Sequence, residues 1–294
     1  MSFNEGVRID PGRASGGRGA GLAIGGGAGG ILALVLALVL GVSPGDLLGG
    51  GGTGEPASPG TGFEHCRTGA DANEHVDCRI IGTAESLDVV WADELPAATG
   101  GQVAYEQPGL VIFTDQTSTG CGNATSAVGP FYCPADRTTY FDNGFFDVLR
   151  DRLGAGDGPL AEMYVVAHEF GHHVQNQLSY LERAQQDPQG PESGGVRVEL
   201  MADCLAGVWA HHATRAVDPE SGEAFLQPLT DQDIADALSA ASAVGDDRIQ
   251  EQTTGRVSPE SWTHGSSAQR QEWFTTGYES GAAGSCDTFA AGSL

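Results

Sequence analysis

The segment H-E-F-G-H at 168–172 constrains the fold of this chain more than any other part of its sequence. In an α-helix, positions i and i+4 lie one above the other on the same face. His168 and His172 can therefore present two imidazoles to a single metal ion. Glu169 lies about 100° around the helix from His168 and is close enough to act on a water molecule at that metal. The segment predicts a helix with a metal ion on one face.

The residues around the motif favour this helix. Asp157 and Pro159 form a pattern typical of a helix start, and apolar residues follow at helical spacing, namely Met163, Val166, Phe170 and Val174. These features predict a helix over 160–180 with a buried face. Two histidines and a glutamate on such a helix are costly to bury unless a metal satisfies them. His173 points about 100° away from His172, so we do not expect it to be a ligand.

A second predicted helix, over 196–212, supplies the groups that the first helix lacks. It carries Glu199 and Asp203 one turn apart in an otherwise apolar segment. We expect Glu199 to be the third metal ligand and Asp203 to accept the free N–H of a metal-bound histidine. The alternative is that both are ordinary surface charges. The glycine and third histidine of the metzincin motif do not follow His172, which favours a glutamate ligand.

Two histidines and one carboxylate with an open fourth position are typical of catalytic zinc, and we expect one Zn²⁺ per chain. In the predicted mechanism, zinc supplies an activated water and Glu169 takes the proton from it as it attacks a peptide bond. His264 is a candidate for stabilising the oxyanion that forms. Its alternative role is to cap the helix that begins near Ser266. Lesser candidates for stabilising the oxyanion are Tyr132, Tyr140 and Arg270.

Four groups of residues then carry a family resemblance. They occur in order at 120–122 with 129–134, at 168–175, at 199–204, and at 264–270 leading to 273–274. In this combination the chain resembles a bacterial family of neutral zinc metallopeptidases. The resemblance covers roughly residues 60–290 and implies a zincin-like peptidase fold, zinc at the site described above and an extracytoplasmic location. It implies no particular substrate.

The N-terminal region predicts a membrane anchor. Residues 21–42 carry no charge, and at 1.5 Å per residue they reach about 33 Å, enough to span a bilayer. Arg8, Arg13 and Arg18 precede this stretch, which places residues 1–20 in the cytoplasm and the rest outside. Residues 43–62 read as a flexible linker and residues 63–294 as the extracytoplasmic domain. The alternative is a cleaved signal peptide and a secreted protein.

All six cysteines lie beyond this stretch, and an even number in an exported domain predicts three disulfides. Six cysteines allow fifteen pairings. Local spacing suggests Cys66–Cys78 and Cys121–Cys133, which leaves Cys204–Cys286. The alternative for the first pair is a second zinc site that also includes His65 and His75.

The chain has a formal net charge of −25 and no lysine. Such a surface repels nucleic acid, so we expect no nucleic-acid partner. The zinc motif, by contrast, predicts a peptide or protein substrate. Strands are predicted near 87–91, 109–114 and 138–141, and helices near 143–153, 160–180, 196–212, 231–245 and 266–280. Residues 128–142 are a candidate for an edge strand that pairs with substrate, or equally for a disulfide-clipped hairpin or loop.

These patterns predict an α+β, zincin-like metallopeptidase domain behind a single N-terminal transmembrane helix. The expected function is that of a membrane-anchored, extracytoplasmic zinc peptidase, most simply an endopeptidase. Two other functions are compatible with the sequence. One is a non-catalytic envelope protein that binds or scaffolds partners and is stabilised by zinc. The other is a zinc hydrolase that acts on a non-peptide amide.

Overall fold

The computed structural model of the protein describes residues 2–17 and 62–294, which form an α+β domain with a mixed sheet. The strands of this part of the chain are β1 (Ser15–Gly17), β2 (Gly109–Phe113), β3 (Gln116–Thr119), β4 (Gly122–Thr125), β5 (Phe131–Cys133) and β6 (Thr138–Asp142). Its helices are α1 (Gly69–Glu74), α2 (Val76–Ala98), α3 (Phe145–Asp151), α4 (Pro159–Gln177), α5 (Leu181–Gln186), α6 (Gly194–Ala213), α7 (Asp231–Ala243), α8 (Asp246–Thr254) and α9 (Ser267–Ser280).

The main sheet has the strand order β1-β2-β6-β5. β1 and β6 run parallel to β2, whereas β5 runs antiparallel to β6 and pairs Phe131 with Tyr140. β3 and β4 form a separate antiparallel hairpin. Among the strands that the structure describes, β5 therefore has a strand partner on one side only, and its other side is a free sheet edge in the sense that no described strand pairs with it.

Helix α4 carries the H-E-x-x-H motif and packs against α2, α6 and α7, while α6 also packs against α9. Glycines allow the closest of these approaches. A Cβ atom at Gly171 would press on the backbone of Ala202, which lies on α6. Gly207 on α6 and Gly277 on α9 face each other's helix backbones in the same way. Close packing between α4 and α6 brings the two halves of the predicted metal site together.

The predicted helices agree with the structure more closely than the strands do. The expected strand near 87–91 is wrong, because Leu87 and Trp91 lie inside the long helix α2. A short apolar run does not distinguish a buried strand from a buried helix. The hairpin β3–β4 and the short helices α1, α5 and α8 were not predicted. The candidate segment 128–142 contains two antiparallel strands, β5 and β6.

Residues 2–17 are part of the same core as the rest of the domain. Phe3 and Val7 are fully buried, and β1 extends the main sheet by pairing with β2. The guanidinium of Arg13 forms a 2.7 Å ion pair with the buried Asp88 and lies 5.9 Å from the ring centre of Phe170. The first residues of the chain thus contact the helix that carries the candidate site.

This packing corrects the predicted membrane topology. A single membrane crossing between residues 17 and 62 would place these two segments on opposite sides of a bilayer, yet they share one core. No helix within residues 2–17 and 62–294 is both long and apolar enough to cross a membrane. The predicted span at 21–42 itself lies outside the described residues, as does the predicted linker at 43–62 except for its last residue. The predicted transmembrane helix in the fold class and the predicted membrane-anchored location were therefore wrong.

Three disulfides are present, and their pairing is the one that local spacing suggests: Cys66–Cys78, Cys121–Cys133 and Cys204–Cys286. The last one joins α6 to the end of the chain across 82 residues. Disulfides of this kind are typical of an oxidising compartment.

A carboxylate beneath the N-terminal segment makes the stability of this packing depend on pH. Glu85 accepts a 2.8 Å hydrogen bond from the Asp10 N–H. Burial raises the pKa of Glu85 to about 8, against the lowering effects of that hydrogen bond and of Arg13; Asp10 and Asp218 raise it further. Its pKa in an unfolded chain is about 4.3. The contribution of Glu85 to stability is thus fully present below about pH 4.3 and is lost as the pH rises towards 8.

We therefore expect the free energy of unfolding to fall between about pH 5 and pH 8, by at most about 1.4 kcal/mol per pH unit from this group. Glu85→Gln keeps an oxygen acceptor for Asp10 and should show a smaller fall. Urea denaturation at several pH values measures the difference, with the exposed Glu5→Gln as the control. Equal pH dependence in all three proteins would contradict the assignment to Glu85.

Candidate metal centre

Helices α4 and α6 bring the three predicted metal ligands together. His168 Nε2 lies 3.2 Å from Glu199 Oε2, and His172 Nε2 lies 3.5 Å from Glu199 Oε1. The potential ligand atoms of all three residues lie within 4.8 Å of one another. His168 is buried, while His172 and Glu199 are half-buried. The three side chains thus converge on one point from two helices.

Behind His168 lies a fully buried carboxylate, Asp203. His168 Nδ1–H donates to Asp203 Oδ1 at 2.8 Å. Arg270 holds the same carboxylate with two hydrogen bonds, of 2.8 Å from Nε and 2.9 Å from Nη2, and the Tyr164 hydroxyl donates to it as well. Asp203 therefore lies where the sequence predicts, and its ion pair with Arg270 is an addition that the structure reveals.

His172 has an orienting partner that the sequence analysis missed. Its Nδ1–H donates to Gln175 Oε1 at 2.8 Å, and Gln175 Nε2 donates to the carbonyl of Val198 at 2.6 Å. Gln175 follows His172 by three residues, a spacing at which side chains meet on a helix, so the sequence could have predicted this contact. Because Nδ1 of each histidine is used as a donor, both histidines direct Nε2 towards Glu199.

The electrostatics of the three charged groups follow from this burial. Burial raises the pKa of Glu199, but its electrostatic interactions with His172, His264 and His168 outweigh burial and hold that pKa well below its usual range. Burial lowers the pKa of His168, but Asp203 and Glu199 outweigh it and raise that pKa to about 10. Burial raises the pKa of Glu169, which favours proton uptake by this carboxylate.

These residues fit a zinc ion. Glu199 Oε2 is buried and has no hydrogen-bond partner in the part of the chain that the structure describes. Two imidazole nitrogens face the same carboxylate, which is the donor set of catalytic zinc in several hydrolases. His168, His172 and Glu199 would hold the ion, and the ion would provide a Lewis acid at the floor of the cleft.

The site opens into a cleft of about 250 Å³. Glu169 lies on its wall beside the three ligands, together with His264 from the loop before α9. The rest of the wall is largely apolar and includes Pro130, Phe131, Ala184, Pro188 and Val198. A carboxylate base, a metal site and an apolar surface thus share one cavity, which is the arrangement expected of a hydrolase site.

His264 is a buried residue held by a second carboxylate. Its Nδ1 lies 3.2 Å from Asp246 Oδ1 and 2.8 Å from the Thr263 hydroxyl. Asp246 also accepts the backbone N–H groups of residues 263, 264 and 265. Burial lowers the pKa of His264, but Glu199 and Asp246 outweigh it and raise that pKa. The ring is therefore fixed at Nδ1, and the charged form is favoured.

The three lesser candidates for oxyanion stabilisation have other partners. The hydroxyl of Tyr140 donates to Asp136, and Arg270 is held by Asp203. The hydroxyl of Tyr132 lies between Asn176 and His173. His173 lies outside the group formed by His168, His172 and Glu199; it is fully buried and hydrogen-bonded at both ring nitrogens.

The alternative zinc site near the start of the domain is not supported. His65, Cys66, Asp77 and Cys78 lie close together. Cys66 and Cys78 form a disulfide, however, so neither sulfur is available as a thiolate ligand.

Comparison with known proteins agrees with this geometry. A family described as "Putative neutral zinc metallopeptidase" matches residues 4–289 of the chain. The protein belongs to this family, which confirms the resemblance noted in its sequence.

Two relatives have names that state no function. The Mycobacterium tuberculosis H37Rv protein named "Uncharacterized protein Rv2575" is 54% identical over 260 residues, which are 88% of this chain and 86% of the relative. The Escherichia coli K12 protein named "Uncharacterized protein YpfJ" is 41% identical over 268 residues, which are 90% of this chain and 87% of the relative. No solved structure was found to match the chain.

Proposed function

We propose that this protein is a zinc-dependent peptidase that hydrolyses internal peptide bonds of extended polypeptides, with one zinc ion per chain. The observation that carries the proposal is the position of Glu169 in the same cleft as His168, His172 and Glu199. These three residues would hold a zinc ion, which would act as a Lewis acid on the substrate carbonyl and on water.

The remaining chemistry belongs to side chains of the protein. Glu169 accepts the proton of the attacking water and then passes it to the leaving amine nitrogen. Its raised pKa suits both steps, because a base must also release the proton again. His264 lines the cleft and donates a hydrogen bond to the oxygen of the tetrahedral intermediate. Asp246 orients the His264 ring from its far side.

The substrate backbone pairs with the free edge of β5. Pro130, Phe131 and Tyr132 line the cleft, so the free edge borders the reacting groups. Extended peptides bind exposed sheet edges through main-chain hydrogen bonds and place alternate side chains in pockets. The apolar surface formed by Phe131 and Val198 suits an uncharged side chain next to the scissile bond.

A structural zinc site accounts for the observations less well. Structural zinc is normally closed by four protein ligands, often cysteines. Here three ligands converge, and all six cysteines are in disulfides. Glu169 is also buried beside the ligands. Burying a carboxylate costs free energy, and a closed structural site would gain nothing in return.

Metal removal tests the proposal. We expect the full chain, purified with its disulfides intact, to contain one zinc ion and to cleave a mixture of unstructured peptides. Treatment with a chelator should abolish cleavage and lower the melting temperature, and added zinc should restore both. Elemental analysis, mass spectrometry of the peptide products and thermal unfolding provide the three readouts. A zinc-loaded protein that cleaves no peptide would argue against the proposed reaction.

A further inference from the structure

The hydroxyl group of Tyr132 joins the edge strand β5 to the metal-site helix α4. Tyr132 is the middle residue of β5 and is buried. Its hydroxyl oxygen lies 3.1 Å from His173 Nδ1 and 2.9 Å from Asn176 Nδ2, and both of these residues are on α4. Among the described side-chain hydrogen bonds, these are the two that connect β5 with α4.

The direction of each hydrogen bond follows from the partners of His173. Its Nε2 lies 2.5 Å from the carbonyl oxygen of Glu106. Because a carbonyl only accepts, Nε2 carries the ring proton and Nδ1 accepts the O–H of Tyr132. The Asn176 amide then donates to the same hydroxyl oxygen. The Tyr132 hydroxyl is satisfied as donor and acceptor, so its role is structural rather than chemical.

The hydrogen bond between Tyr132 and His173 relates β5 to the candidate base Glu169, because of where His173 lies on α4. His173 follows Glu169 by four residues, so both project from the same face of the helix. The other two residues of β5 are tied elsewhere: Phe131 stacks on Tyr140 of β6, and Cys133 is bonded to Cys121. The stacking contact fixes β5 to the main sheet and the disulfide fixes it to the turn between β3 and β4, whereas the Tyr132 hydroxyl fixes β5 relative to the face that carries Glu169.

We propose that His173 and Asn176 are positioning residues, which hold β5 through Tyr132 at the distance from Glu169 that a strand-paired substrate requires. This inference rests on the proposed function and specifies its substrate as a polypeptide long enough to pair with the strand. A displacement of about 1 Å between a substrate and its catalytic groups can cost about 100-fold in rate. Loosening the strand should therefore lower the rate for long substrates much more than the rate for a substrate too short to pair with the strand.

Tyr132→Phe tests this inference, because it removes the hydroxyl and keeps the ring. We expect kcat/KM for a long unstructured peptide to fall by about 10- to 100-fold, mostly through kcat, while kcat/KM for a blocked dipeptide falls much less. Asn176→Leu removes the other partner of this hydroxyl, and it should likewise lower kcat/KM for the long peptide more than kcat/KM for the dipeptide. Tyr140→Phe is the matched control, since it removes a hydroxyl from the neighbouring strand that bonds Asp136 and not α4.

An equal loss for both substrates would show that Tyr132 supports only general stability, and this result would overturn the inference. Wild-type kcat/KM for both substrates would overturn it as well. If the wild type cleaves no peptide, the proposed function fails, and hydrogen exchange of the backbone at 131–133 then decides the inference separately. Faster exchange in Tyr132→Phe than in Tyr140→Phe would support it, and equal exchange would refute it.

Discussion

Glu169→Gln is expected to keep its zinc ion and to lose peptide hydrolysis by about 100- to 10,000-fold, the usual contribution of a general base. Glutamine has nearly the shape of glutamate, so it fills the same buried position on α4. It does not accept a proton from water. His168, His172 and Glu199 are untouched, so the zinc content should equal that of the wild type.

The measurement compares zinc per chain and initial cleavage rate for Glu169→Gln, the wild type and Glu182→Gln. Glu182 lies on α5 and is exposed, so its substitution controls for the loss of one carboxylate. Cleavage by Glu169→Gln at the wild-type rate would exclude Glu169 as the base. Loss of zinc in this variant would show that Glu169 helps to hold the metal, and the rate would then no longer report on proton transfer.

Asp203→Asn is expected to have the largest effect on stability, because it leaves Arg270 buried without a counter-charge. Breaking a buried ion pair by removing one partner costs about 3–5 kcal/mol. The same substitution weakens the hydrogen bond that orients His168, so zinc affinity should fall by about 10- to 100-fold. Asp203 is fully buried and Arg270 nearly so, hence solvent provides little compensation.

The double variant Asp203→Asn with Arg270→Gln separates the two effects. Removing both charges should restore much of the unfolding free energy while zinc affinity stays low, since His168 still lacks its carboxylate. Urea denaturation and competition with a metal chelator measure the two quantities. If the double variant were no more stable than Asp203→Asn, the unpaired arginine would not be the cause. If zinc affinity recovered along with stability, the loss would reflect unfolding rather than ligand orientation.

The sequence predicted the parts of the site that depend on helical periodicity. His168, Glu169 and His172 share one helix, and Glu199 and Asp203 share another, so spacing alone places each group on a face. The close packing of α4 on α6 is what joins the two groups, and glycine at 171 makes that approach possible. A sequence pattern shows that such a glycine is present but does not show which helix it faces.

The spacing of residues along the sequence does not predict contacts between distant segments. Arg270 lies 67 residues from Asp203, and Tyr132 lies 41 residues from His173. Nothing in the local pattern of either segment specifies its partner. Asp246 was missed for the same reason, since its role depends on the fold of the loop that contains His264.

The membrane prediction failed because it treated the first residues as a charged tail. Phe3, Val7 and Ile9 are too few and too widely spaced to stand out as a strand or helix, yet all three are buried. The prediction treated Arg13 as a positive charge on the cytoplasmic side of a membrane, whereas in the structure Arg13 forms an ion pair with Asp88. A charge count does not distinguish an arginine that faces solvent from one that is paired inside a core.

The attachment of residues 2–17 also determines how this enzyme candidate has to be produced. A fragment that begins after the glycine-rich region would expose the edge of β2, uncover the pocket filled by Phe3 and leave Asp88 buried without Arg13. Each of these changes favours aggregation or loosened packing beneath Phe170 of α4. The first seventeen residues therefore belong to any preparation in which the activity of the cleft is to be judged.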